Sequence, residues 1–147
     1  SDVCSSDLYS HFSVSLAGIH DIQLMELATR PRSKKFLHGL ARCITSDLSL
    51  GGYEQRRWMD QKNRGKRLFA PELGGSYEVF NERPMGEDIA LYCTQDVQFM
   101  PKLWAYYAAR LTAAWRTRVR AETLSRVRES QMPYYDGRGR DRAFGPW

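Results

Sequence analysis

The most sustained hydrophobic pattern in the chain begins at Ile89. Apolar side chains recur at Ile89, Cys93, Val97, Met100, Trp104, Tyr107, Leu111 and Trp115. Steps of three and four residues place them on one face of a helix. Pro101 interrupts the run and predicts a kink or a break there. The helical pattern then continues over residues 110–130 and ends before Pro133. Ahead of it Pro84 predicts a turn, and Glu87 and Asp88 stand where a helix N-terminus favours negative charge.

Upstream, the pattern is more broken. Residues 9–16 alternate aromatic and polar side chains and read as the end of a helix entering a turn at Gly18. Ile19 and Ile22 start a β-like stretch, which becomes helical through Leu24, Met25, Leu27 and Ala28 and stops at Pro31. A second helical stretch over residues 34–44 puts Phe36, Leu37, Leu40 and Ile44 on one side. Ser46, Asp47, Gly51 and Gly52 mark a loop. A short helix is expected from Tyr53 to Lys62. Beyond it Gly65, Pro71, Gly74 and Gly75 argue against long regular elements. "YYDGRGRDRAFGPW" reads as a flexible tail.

Composition changes this picture in four places. The chain has 147 residues, of which 42% are hydrophobic and 27% charged. That suits one globular domain rather than a disordered chain. No apolar run approaches the roughly 18 residues of a membrane helix, so no membrane partner is expected. Cys4, Cys43 and Cys93 lack metal-ligand spacing and are expected to be reduced thiols of an intracellular protein. The net charge of +5 lies entirely in residues 110–147, where nine arginines face four acids. Such a segment attracts polyanions, or it is a solvated helix followed by a loose tail.

The candidate chemistry sits in "LYCTQDVQF". Tyr92 and Asp96 are four residues apart, so they share a helical face. In two-metal phosphodiester hydrolysis a carboxylate holds a divalent cation, and a nearby phenol can orient the attacking water. By itself the spacing is weak evidence, since Tyr and Asp meet this way on many surface helices.

The surrounding residues make it more specific. "FNERPM" followed by "GEDIALYCTQDVQFMPKLWAYY" resembles the third motif of the DEDD-type 3′–5′ exonucleases, in the tyrosine-bearing subgroup related to ribonuclease D. Arg83, Pro84, Met85, Tyr92, Asp96, Val97, Leu103 and Tyr107 carry that resemblance. "GIHDIQLMELA" resembles the family's Asp-Thr-Gln segment, a strand end feeding a helix, with Asp21 and Gln23 in the matching places. The similarity spans residues 9–111 and is nearest to a fungal branch. It implies a metal-ligand role for Asp96, water positioning by Tyr92, and supporting roles for Asp21 and Gln23. Mg²⁺ or Mn²⁺ would serve the intact parent, and DNA or RNA would be its substrate. The basic segment "KNRGKRLF" is read as a loop on the substrate side, with Lys62, Arg64, Lys66 and Arg67 as candidate phosphate contacts.

The resemblance is incomplete. A complete member needs four carboxylates, and no Asp-x-Glu stands upstream of Asp21. Asp7 lies near the expected second-motif position. However, residues 1–8, "SDVCSSDL", resemble a translated sequencing adapter and are expected to be non-native. The expected class is therefore α/β: an incomplete RNase H-like fold, its C-terminal part, predominantly helical with one or two short strands. Residues 9–111 would be the partial exonuclease domain, 112–132 a basic helical extension and 133–147 the tail. The fragment is expected to be inactive and to hold cations weakly. The alternative is a non-catalytic basic module that binds nucleic acid through its arginine-rich C-terminal helix. His11, His20 and His38 show no clustered spacing. Trp58, Trp104 and Trp115 can stack bases or fill a core.

Overall fold

The structure is a computed structural model and describes residues 2–135 and 143–147. Among them the regular structure is helical: α1 (Asp2–Phe12), α2 (Ile22–Thr29), α3 (Leu40–Asp47), α4 (Gly52–Phe69), α5 (Glu87–Gln98), α6 (Met100–Ala108) and α7 (Ala113–Ser130). Short 3₁₀ turns cover Pro71–Leu73 and Tyr77–Phe80. The expected strands are not formed among the described residues. β-pairing is limited there to an isolated antiparallel bridge between Phe36 and Phe144. No helix among these residues is long and apolar enough to cross a membrane.

The chain divides into two compact units. The first comprises Ser1–Gly39 and Trp104–Trp147. Here α1 and α2 pack on α7. Leu24, Leu27 and Tyr107 are fully buried, with Leu111 and Val119 nearby in the core. The β-like start expected at Ile19 is irregular instead, because Asp21 is already a helix cap. Its backbone is extended (φ −82, ψ 103) and its carboxylate accepts the Leu24 N–H. That bond satisfies one of the free N–H groups at a helix start.

The other end of α2 is capped from beyond the helix. Lys34 donates to the carbonyls of Leu27 (2.7 Å), Ala28 (3.1 Å) and Arg30. Burial, then the nearby Arg30 charge, holds the Lys34 ammonium below the usual lysine range, with Glu26 opposing them. Residues 143–147 were expected to be loose. They are tied down instead: Leu37 donates to Ala143 and Gly145 to Lys35, while Trp147 meets Trp115 edge-on. Gly145 permits this approach, since a Cβ there would come within 2.0 Å of the Lys34 carbonyl oxygen. The remainder of the expected tail, residues 136–142, lies outside the described residues.

The second unit is Leu40–Leu103. Its helices differ from expectation in three ways. The stretch expected over residues 34–44 begins only at Leu40, so Cys43 and Ile44 are buried while Phe36 stays out of it. The short helix expected to end near Lys62 runs on to Phe69, through Gly65. The segment read as a basic loop is therefore the last two turns of α4. The reason is packing. Gly65 is buried at the α4–α5 crossing, where a Cβ would meet the Tyr92 ring at 2.4 Å. Glycine's propensity cost in a helix is about 1 kcal/mol, and here it permits a close approach of two helices.

Third, the run from Ile89 is broken twice. α5 ends at Gln98 and α6 begins at Met100, so the break predicted at Pro101 is present. A second break separates Ala108 from Ala113, where Thr112 caps α7 by accepting the Trp115 N–H. The buried face of α5 also differs from the apolar stripe. Ile89, Gln95 and Phe99 are buried, whereas Cys93 is exposed and Val97 is 59% exposed. Glu87 and Asp88 do occupy the first turn of α5.

Candidate functional site

Tyr92 and Asp96 lie on the side of α5 that faces α4. This follows from what α4 offers at each level. At the second turn Trp58 supplies a backbone carbonyl that accepts from Gln95, and its ring meets Phe99 edge-on at 6.4 Å. One turn on, Lys62 donates to Asp96 at 2.6 Å. After that comes Gly65, against which the Tyr92 ring lies. Phe69 closes the row, 5.1 Å from the Tyr92 ring centroid. A carboxylate and a phenol thus sit on the covered side of α5 because the facing helix presents a lysine and a glycine at the matching positions.

The electrostatics are local. Lys62 Nζ lies 5.3 Å from the Trp58 ring centroid and 5.5 Å from that of Tyr92, so one ammonium serves a carboxylate and two ring faces. The pair is partly solvated: the Lys62 and Asp96 side chains are 25% and 32% exposed. Burial, then the charge of Asp96 and a hydrogen bond to it, and lastly Cys93, push the Tyr92 phenol up to about 12. At neutral pH it is therefore a hydrogen-bond donor and not a phenolate. Such a group can orient a water or a phosphate oxygen but cannot act as a base.

The donor set does not fit a divalent cation. Asp96 is already neutralised by Lys62, and a hard dication needs several oxygen ligands. No group of three or more His, Cys, Asp or Glu side chains able to hold a metal occurs among the described residues. The nearest positive charge would also repel the ion.

The other expected site residues have different surroundings. Asp21 and Gln23 belong to the first unit. Asp21 caps α2 with one oxygen and accepts from Arg126 at 2.9 Å with the other. Gln23 donates to the His38 carbonyl at 3.0 Å. Lys66 faces Glu72 at 3.5 Å, and both are exposed. Arg64 and Arg67 point outward from α4 and make no ion pair among the described residues. Sequence reasoning missed Arg56 and Arg57, which are also exposed on α4. Their spacing to Arg64 and Arg67 would have shown the shared face, had the segment been read as one helix.

Trp58 is 3% exposed and cannot stack a base from outside, whereas Trp104 is 42% exposed. No protein-family model, curated protein or solved structure matches this chain.

Proposed function

We propose that the chain is the C-terminal part of a 3′–5′ exonuclease domain of the DEDD type, in the tyrosine subgroup, with an RNase H-like α/β parent fold. The parent would hydrolyse phosphodiester bonds of DNA or RNA from the 3′ end with Mg²⁺ or Mn²⁺. One observation carries the reading. A phenol held protonated by burial and by the charge of Asp96 shares one helical face with that carboxylate, behind an Arg-Pro step. A positioning phenol beside a ligand carboxylate is a division of labour that such hydrolysis can use. The chain as given is inactive in this reading, because Asp96 is the one recognised member of a set of four carboxylates and its charge is held by Lys62.

Two tests bear on it. The gene upstream of Tyr9 should encode an Asp-x-Glu on a strand pattern; a frame without one removes the proposal. This chain, given labelled single strands and Mn²⁺, should show no turnover. Turnover that disappears in Asp96→Ala would contradict the claim of inactivity.

A second reading, a non-catalytic module that binds nucleic acid, is favoured by one feature. Arg56, Arg57, Arg64 and Arg67 share an exposed face of α4. This surface replaces the C-terminal helix as the better candidate. On α7, Arg126 is engaged with Asp21 and Glu122, and Arg118 with the Trp115 ring.

A further inference from the structure

The first unit contains an open cleft of about 610 Å³ that has no part in the Tyr92–Asp96 arrangement. Its floor is apolar: Met25, Leu111 and Val119 are buried there, and Leu16, Trp104 and Leu124 stand exposed around it. Large apolar side chains left in water around a concavity mark a binding surface. The volume lies within the roughly 300–1,000 Å³ of small-molecule sites, which favours a compact ligand over a protein segment.

The polar lining has one sign. Arg116 and Arg120 are one turn apart on α7 and both reach the cleft, and no aspartate or glutamate among the described residues lines it. Arg116 donates one N–H to the Ala108 carbonyl at 3.1 Å and makes no ion pair among the described residues. Arg120 makes no ion pair among the described residues. His20, the other titratable lining residue, lies edge-on to the Trp104 ring at 5.7 Å. A guanidinium pair at the edge of an apolar floor suits a single carboxylate on an apolar body.

We infer that this cleft binds a monomeric anionic amphiphile, with the alkyl chain over Met25, Leu111 and Val119 and the carboxylate on Arg116 and Arg120. The cleft contains neither Tyr92 nor Asp96, so its failure and that of the nuclease reading are distinguishable. The test is calorimetric titration of the full chain with dodecanoate below its micelle concentration. Binding should saturate at one site. Dodecanol and dodecyltrimethylammonium should bind at least about tenfold more weakly. The double variant Arg116→Gln/Arg120→Gln should lose about tenfold or more in affinity, while Arg128→Gln, exposed on the same helix outside the cleft, should not. Unchanged circular dichroism would show that the variants fold. The inference is overturned by a lack of saturable binding, by equal binding of the alcohol, or by unchanged affinity in the double variant. It is equally overturned if the chain binds anionic phosphatidylglycerol vesicles but not the free acid.

Discussion

Tyr92 is the residue whose surroundings say most about the site. Its phenol is pushed up to about 12 from an ordinary value of 10.0 by burial and by Asp96. A spectrophotometric titration should therefore show Tyr92 ionising late, and Tyr92→Phe should remove one late-ionising tyrosine. The sign for stability follows from linkage. Between the two values the unfolded chain releases a proton that the fold retains, so stability falls as pH rises from about 10 to about 12. The variant should show a shallower fall in urea melts over that window. The Lys62–Asp96 pair matters less for folding. Pairs this exposed contribute about 0–1 kcal/mol, so Asp96→Ala should fold normally and serve as a clean functional probe. The shared face of Tyr92 and Asp96 was legible in the sequence, since four-residue spacing fixes it. Lys62 as the partner of Asp96 was not, because that depends on which residues α4 turns toward α5.

At the scale of elements, the sequence misled wherever an apolar stripe was read without its packing partner. Val97 and Cys93 fit the helical period from Ile89, yet they are exposed. The side of α5 that is covered carries Tyr92, Gln95 and Asp96 because α4 offers a carbonyl, an ammonium and a glycine there. Gly65 was taken as a helix breaker and is a helix contact. Gly65→Ala tests this directly. Its Cβ would overlap the Tyr92 ring, so overpacking should outweigh the gain in helix propensity and cost about 1–3 kcal/mol. Chemical denaturation would measure it, and a stabilised variant would show that α4 and α5 do not cross closely at this point. The breaks at Pro101 and the end before Pro133 were legible because proline acts locally. The tie between residues 143–147 and residues 34–37 was not legible, since no local pattern encodes a pairing so distant in sequence.

For the whole molecule, the distribution of charge matters more than its total. α4 carries six basic and two acidic side chains, while residues 72–96 carry six acids and one arginine. The second unit is therefore polarised despite having no large net charge. If α4 contacts a phosphate backbone, Arg64→Gln should lower the salt dependence of single-strand binding by about one unit of log–log slope. Anisotropy titrations over a range of salt would show it. A flat salt response would remove the binding module as an alternative. The claim on which the functional account depends is that Tyr92 and Asp96 belong to a cation-dependent nuclease centre that is completed by residues upstream. The direct measurement is degradation of a labelled single strand with Mn²⁺ by a chain extended upstream from the gene. The account predicts stepwise shortening from the 3′ end, abolished by Asp96→Ala and slowed at least about a hundredfold by Tyr92→Phe. Degradation indifferent to both substitutions, or an extended folded chain that leaves the strand intact, would contradict it.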